Sequence, residues 1–167
     1  MKFIPLTVSA ALLSGPALAG DVELTVEIPA LSVAEYHRPY IAAWIAKPDQ
    51  SVAANIAVLY QQDDDAEGET WLKDLRQWWR RTGRSLDMPV DGITSPTKAP
   101  GTHRIAVPME DPRLKALAPG DYIMMVEAAR EVGGREVVSL PFTWPGDIDV
   151  SATGSSELGQ ITFSSNN

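Results

Sequence analysis

The chain has 167 residues and no cysteine. This absence excludes disulfide bonds, thiolate metal sites, a cysteine nucleophile and a lipid anchor on an N-terminal cysteine, so stability must come from packing alone. Histidine is scarce as well: His37 and His103 lie 66 positions apart and lack the spacing of a metal-binding motif. Both are interpreted as surface or loop residues, and the sequence predicts no metal site.

The common catalytic motifs are also missing. The sequence contains no G-x-S-x-G nucleophile elbow, no GxGxxG and no P-loop, so nothing in it supports acyl or phosphoryl transfer. Asp63, Asp64 and Asp65 are adjacent in a predicted turn, where a solvated loop explains them better than a carboxylate pair for glycoside hydrolysis. No catalytic constellation follows, and we expect a redox carrier or binding protein rather than a stand-alone enzyme.

Only the N-terminus has an apolar run of notable length. Residues 1–19 contain Lys2, an apolar run over residues 3–13, and small residues ending at Ala19. This pattern predicts a secretory signal peptide cut after Ala19, and hence a periplasmic location. No other run approaches the roughly 20 apolar residues that a transmembrane helix needs.

Basic residues are few relative to acidic ones. Removal of residues 1–19 takes away one lysine and leaves 13 basic against 22 acidic residues, a formal charge of −9. Such a surface repels nucleic acid and anionic lipid. Residues 20–167 suit one domain with an adequate core.

Periodicity predicts a mainly β fold. Apolar and polar residues alternate strictly over residues 21–28, whereas residues 40–46 are apolar on both faces, as in a central strand. The predicted strands are residues 21–28, 40–46, 55–60, 102–107, 121–132, 135–142 and an edge strand at 159–164. Gly133 and Gly134 predict a two-residue hairpin turn that places Glu131 opposite Glu136. We expect an antiparallel immunoglobulin-like β-sandwich of about seven strands.

One Trp-rich helix is inserted into this pattern, at residues 69–82. Its apolar residues recur at i, i+1, i+4, i+7 and i+8, the stripe of a helix packed on one face. They are Trp71, Leu72, Leu75, Trp78 and Trp79. We expect the helix to cap one end or edge of the sandwich. The long loop that follows, residues 84–101, is the first place to look for function.

This loop contains a possible attachment motif. Its residues are Asp91, Gly92, Ile93, Thr94, Ser95, Pro96 and Thr97. The segment resembles the motif by which a threonine is esterified to flavin mononucleotide (FMN) in secreted electron-transfer proteins. Asp91, Gly92, Ile93, Thr94 and Thr97 match it in type and position, whereas Ser95 replaces the usual Gly and Pro96 the usual Ala. The resemblance implies FMN joined covalently to Thr97.

The whole chain also resembles a family of predicted periplasmic domains of unknown function. The shared features are the signal peptide, the early alternating strand, the W-L-K-D-L-x-x-W-W helix, the D-G-x-T-x-x-T loop and the Y-x-M-x-V-E-A-A-R-E-x-G-G hairpin at residues 122–134. Members of that family look like partners of membrane-bound PepSY-type reductases and of the enzyme that attaches flavin to proteins. The resemblance therefore implies those two partners.

The residues around the motif allow two functions. Arg80, Arg81 and Arg84 are candidates to neutralise a flavin phosphate, and Trp78 or Trp79 to stack on the isoalloxazine ring. Thr153 ends a poorer second match to the motif. Alternatively, Asp-Gly is a common turn, the threonines are loop residues and the tryptophans are core. The protein is then a cofactor-free binding module that docks a partner domain or sugar through its loops.

Overall fold

The structure is a computed structural model, which describes residues 20–62 and 66–166. The predicted signal peptide with its cleavage site after Ala19 lies outside the described residues, and so does the acidic run Asp63, Asp64 and Asp65. No helix among the described residues is long and apolar enough to cross a membrane.

The described residues form nine strands and a few short helices. The strands are β1 (Asp21–Ile28), β2 (Tyr40–Ala46), β3 (Val52–Tyr60), β4 (Thr94–Pro96), β5 (Gly101–Pro108), β6 (Gly120–Ala129), β7 (Arg135–Trp144), β8 (Asp149–Thr153) and β9 (Gln160–Asn166). The helices are a 3₁₀ helix (Glu67–Asp74), α1 (Arg76–Arg81), a 3₁₀ turn (Gly83–Ser85) and α2 (Pro112–Lys115). The mainly β class is confirmed, and the predicted bounds of β1 and β2 are the observed ones.

The strands make two sheets. One has four strands in the order β5-β1-β9-β8, and the other has five in the order β4-β3-β2-β6-β7. Every pairing is antiparallel except that of β3 with β4, which is parallel. The immunoglobulin-like connection pattern stays a prediction.

The two sheets share one apolar core. The inward residues of β1, which are Val22, Leu24, Val26 and Ile28, pack in one cluster with residues of the other sheet such as Ile41, Val126 and Leu140. Strict alternation on β1 follows from this arrangement, because its other face is turned away from the core. The sandwich itself is therefore stabilised by burial between the sheets.

A second core lies on the opposite face of the five-stranded sheet. Ala42 and Trp44 of β2 pack there with Leu72, Leu75 and Trp78 of the helical segment. Both faces of β2 are covered, which explains its continuous apolar sequence. The helix was predicted to cap an end or edge of the sandwich, and that prediction is wrong: the helical segment covers the outer face of this sheet.

The predicted helix over residues 69–82 is two helices. The 3₁₀ helix ends at Asp74, and α1 begins at Arg76 because Leu75 leaves the helical region with φ −74° and ψ 71°. The break changes which residues face inward. Leu72, Leu75 and Trp78 are buried, Trp79 is half-buried, and Trp71 is 49% exposed.

The end of the chain also differs from the prediction. β9 lies between β1 and β8 and is not an edge strand, because residues 149–153, which are absent from the predicted strands, form β8. The hairpin of β6 and β7 is confirmed, but its turn is longer than two residues. Arg130 donates its N–H to Gly134 O at 3.0 Å, and Glu136 lies opposite Ala128 rather than Glu131.

Candidate functional site

Four neighbouring strands of the five-stranded sheet end at the same level. Pro96 of β4 pairs with Tyr60 of β3, the Tyr60 ring contacts that of Tyr40 of β2, and Tyr40 pairs with Ala129 of β6. The chain segments beyond these ends meet the 3₁₀ helix there. Together they line a cavity of about 950 Å³, here called the groove. Its volume lies at the upper end of the range usual for ligand pockets, about 300–1,000 Å³.

Thr97 lines this groove. It follows the last residue of β4, and its side chain is half-buried. The strand is held in place by Ile93, which packs in the second core and accepts the main-chain N–H of Val58 at 2.7 Å. Asp91 and Gly92 form the turn before the strand, with Gly92 at φ 78°, where a residue without Cβ is favoured. The segment therefore delivers Thr97 to the groove from an ordered strand rather than from a structureless loop.

Thr94, Asp91 and Gly92 shape the segment and do not line the groove. The Thr94 hydroxyl accepts the Val90 N–H at 2.9 Å, which closes the turn. Asp91 and Gly92 are exposed on the outside of that turn. The matching residues of the motif thus position the strand, and only Thr97 reaches the cavity.

The predicted stacking residue Trp78 has no free ring face. It is fully buried beneath α1, and its Nε1 donates to Asn55 Oδ1 at 3.0 Å. A Cβ at Gly83 would lie 2.4 Å from the Trp78 ring, so a glycine is needed for this close contact. The indole that lines the groove is that of Trp71, which the helical stripe assigned to the packed face.

Trp79 and Arg80 lie in a smaller depression of about 330 Å³, here called the basic depression. Its other lining residues are Lys73, Arg76, Gln77 and Arg135. Arg76 and Arg135 line the groove too, so the two concavities are adjacent. Arg81 and Arg84 are exposed and line neither.

Cations and aromatic rings dominate the groove. The basic side chains lining it are Arg38, Arg76, Arg130 and Arg135, and the aromatic ones are Tyr36, Tyr40 and Trp71. Acidic residues, among them Glu67 and Asp74, also line it. Four guanidinium groups stand against three carboxylates, those of Glu67, Asp74 and Glu131, and this lining together with the rings suits a ligand that has an anionic and a planar part.

His37 and His103, the two histidines, occupy different places. His37 lines the groove and contacts Glu35 at 2.8 Å, while His103 contacts Ala99 O at 2.7 Å. Among the described residues, no group of three or more His, Cys, Asp or Glu side chains is arranged to hold a metal ion.

Comparison with known proteins identifies the family. A family model described as "Predicted periplasmic protein (DUF2271)" matches residues 21–160. The chain belongs to this family. Its description agrees with the periplasmic location predicted from the N-terminal residues. No curated protein and no solved structure matches this DUF2271 chain.

Two charged residues of the DUF2271 chain were missed by sequence reasoning. Glu127 on β6 is fully buried and accepts the N–H groups of Gln77 and Trp78 at the start of α1. The sequence did contain a signal for Glu127, because it is the single carboxylate inside the apolar run of β6. Arg130 was given no role in the sequence analysis. In the structure it forms a buried ion pair with Glu157, 27 positions away, for which no local pattern gives a signal.

Proposed function

We propose that this DUF2271 protein is a periplasmic electron-transfer carrier with FMN joined to Thr97. Membrane-bound PepSY-type reductases are its proposed redox partners, and an FAD:protein FMN transferase attaches the cofactor. The observation that carries the proposal is the place of Thr97: the last residue of the motif lines a groove together with an exposed indole and several guanidinium groups.

The groove residues fit the group. The groove is lined by guanidinium groups, which bind phosphate and other anionic groups through paired hydrogen bonds. Trp71 is 49% exposed, and the face of its ring that the Lys73 ammonium group does not cover, at 5.4 Å from the centroid, is offered to a tricyclic ring. None of the residues predicted to stack on the ring or to neutralise the phosphate lines the groove: Trp78, Trp79, Arg80, Arg81 and Arg84.

Pro96 is compatible with this placement. It lies in β4, which pairs only with β3 among the described strands. Proline has no N–H to donate and is therefore found on edge strands. The departure from the usual Ala thus fits the local structure and leaves Thr97 at the end of the strand.

Attachment requires one substitution at phosphorus. The Thr97 hydroxyl oxygen forms a bond to the flavin-side phosphorus of FAD, and the pyrophosphate bond breaks. AMP leaves with the bridging oxygen, and the hydroxyl proton passes to a base of the transferase. When bound, the flavin supplies reversible uptake of electrons, and the chain supplies its position and electrostatic environment.

Intact-mass measurement tests the proposal. Co-expression with an FAD:protein FMN transferase should add a single FMN to the mature chain, and Thr97→Val should abolish the addition. Thr153→Val is the matched control, because Thr153 ends the second motif match and its exposed hydroxyl donates to Gln160 Oε1 at 2.9 Å. An unmodified wild-type chain, under conditions in which an established acceptor protein is modified, would refute the proposal.

The alternative is a cofactor-free binding module. The basic depression favours it, since four cations surround Trp79 there and would complement an acidic protein surface. A partner that binds the unmodified chain in low salt, and binds the Arg80→Glu variant less, would support this alternative. Equal binding of both chains would exclude the basic depression as the docking surface.

A further inference from the structure

The hairpin turn between β6 and β7 presents an apolar side chain to solvent at the rim of the groove. Val132 lines the groove and is 71% exposed. Its φ of 50° lies in the left-handed region, which a β-branched residue adopts only at a cost in conformational energy. Neither burial nor backbone preference accounts for a valine at this position, whereas a contact with another molecule would.

Large apolar side chains are seldom exposed in this protein. In the described part of the chain they are Val33, Trp71 and Val132. Two of the three, Trp71 and Val132, line the same groove. Grouped apolar surface of this kind is typical of a binding site, whereas scattered exposed residues are not. The proposed function assigns Trp71 to a ring inside the groove, so Val132 remains for a molecule that approaches from outside.

The basic depression continues the surface of this turn. Arg135, three positions after Val132, lines both the groove and the depression. Four cations line the depression, and none of the described residues that line it carries a carboxylate. The carboxylate of Glu127 lies 3.8 Å from Arg135, but it is fully buried and accepts main-chain N–H groups of α1. Val132 and the basic depression therefore form one surface, here called the docking face.

The cations of the docking face are held in place but not neutralised. Among the described residues, Lys73, Arg76 and Arg80 form no ion pair. Arg80 Nε donates to Arg76 O at 3.2 Å, and the Lys73 ammonium group lies 5.4 Å from the centroid of the Trp71 ring. Cations held in this way lose less conformational freedom when they bind an incoming carboxylate.

The composition of the docking face suits a protein as its occupant. Tryptophan and arginine carry much of the binding energy in protein interfaces, and here the half-buried indole of Trp79 lies among three guanidinium groups. The cations select an occupant whose surface bears carboxylates. Because the docking face borders the groove, a protein bound to it also faces the contents of the groove.

We propose that the docking face binds an acidic surface of the redox partner and holds that partner against the open side of the groove. This inference rests on the proposed function. In the complex, two electrons leave a reduced cofactor of the partner and enter the flavin ring joined to Thr97, which takes up protons from water. The partner is oxidised and the flavin is reduced. Val132 supplies an apolar contact, and the cations set the orientation of the partner.

Reduction of the flavinylated chain by membrane vesicles that contain the PepSY-type reductase tests the inference. The rate for the wild type should fall about tenfold as NaCl rises from about 50 to about 300 mM, because salt screens the local attraction. The net negative charge of the chain acts in the opposite direction on an acidic partner, so the sign of the salt dependence decides between the two effects. A rate that is unchanged or higher in high salt would overturn the inference.

Two pairs of variants locate the surface. Arg80→Glu should slow reduction about tenfold in low salt, whereas Arg84→Glu, at an exposed arginine that lines neither concavity, should slow it by less than about twofold. Val132→Ser should slow reduction about threefold, and Val33→Ser, at an exposed valine outside the groove, should leave it unchanged. Oxidation of the reduced flavin by O₂, which gives H₂O₂, should be equal in all these chains, because a small neutral oxidant needs no docking face.

The unmodified chains give a second readout. Val132→Ser should melt at the wild-type temperature or above, because serine is not β-branched and suits φ 50° better than valine. A lower melting temperature would show that Val132 supports the fold and would overturn its assignment to the docking face. Self-association of the wild type that Arg80→Glu removes, measured by sedimentation, would assign the docking face to a second copy of this chain and overturn the inference.

The outcomes separate the two proposals. A flavinylated chain that the reductase reduces at the same rate in wild type, Arg80→Glu and Val132→Ser would overturn the docking face and leave the proposed function standing. The absence of any adduct would overturn both.

Discussion

The carboxylate of Glu127 accepts the main-chain N–H of Trp78 at 2.8 Å, although the two residues are 49 positions apart. The same carboxylate accepts the N–H of Gln77 at 3.1 Å, and Arg135 lies 3.8 Å away. Burial raises the pKa of Glu127, while these hydrogen bonds and Arg135 act to lower it. A strand residue thus takes the place of a local N-cap and fixes where α1 begins on the sheet.

Removal of this carboxylate should loosen the helical layer. Glu127→Ala leaves the buried N–H of Trp78 and the partly buried N–H of Gln77 without this acceptor, and we expect a loss of about 2–4 kcal/mol in the free energy of unfolding. Urea denaturation measures it. Glu110→Ala is the control, because Glu110 is exposed and forms only a surface ion pair with Lys115, and it should change stability by less than about 0.5 kcal/mol. Equal effects of the two substitutions would show that Glu127 does not hold the helix.

The two adjacent tryptophans of α1 should differ in their contribution to stability. Trp78 is fully buried and its Nε1 donates to Asn55, so Trp78→Ala should cost about 3–5 kcal/mol in the free energy of unfolding. Trp79 is half-buried, and Trp79→Ala should cost clearly less. Chemical denaturation of both variants decides the point, and an equal or reversed order would contradict the placement of α1.

Stability should fall in acid because of Glu136. Burial acts to raise the pKa of this carboxyl group, but hydrogen bonds from Ser155, Ser156, Glu157 and Leu158 outweigh it and lower the pKa to about 2. A depressed pKa stabilises the fold above the ordinary value of 4.5, and this stabilisation is lost as the pH falls from about 4.5 towards about 2.

Thermal melts between pH 7 and pH 2 measure this dependence. Glu136→Gln should be less stable at pH 7 and should show a weaker decline in acid. Glu131→Gln is the control, since its carboxylate is 72% exposed, and it should follow the wild-type curve. A Glu136→Gln curve parallel to that of wild type would refute the assignment.

Trp71 should affect the flavin and not the fold. Because its side chain is 49% exposed, Trp71→Ala should change the free energy of unfolding by less than about 1 kcal/mol. In the flavinylated protein it should leave the adduct mass unchanged and raise flavin fluorescence several-fold, since a stacked indole quenches the excited ring. Trp79→Ala, in the basic depression, should leave the fluorescence unchanged. A fluorescence change in Trp79→Ala but not in Trp71→Ala would show that the ring does not bind in the groove.

The elements that sequence predicted well are those fixed by their own residues. Strict alternation predicted the bounds of β1 and its single covered face. The continuous apolar sequence predicted the bounds of β2 and its central position. The hairpin of β6 and β7 was also predicted, but its turn was not. The turn runs from Arg130 to Gly134, and the Arg130 side chain pairs with Glu157, which lies 27 positions further along the chain.

Elements that depend on a distant partner escaped prediction. β4 has three residues and is defined by its pairing with β3, too short for any periodicity. The helical stripe failed for a similar reason: Glu127 starts α1 at Arg76, and the break turns Trp71 outward. For the site, the motif led to Thr97, whereas Trp71, Arg76 and Arg130 are brought beside it only by the fold.

The two cores meet at the five-stranded sheet and are otherwise separate. The sandwich core lies under one face, and the helical segment together with residues 86–93 covers the other. Substitutions in residues 67–97 therefore alter the walls of the groove without changing the residues that pack between the two sheets. A chain built in this way is able to acquire a new specificity in its outer layer while its inner framework remains unchanged.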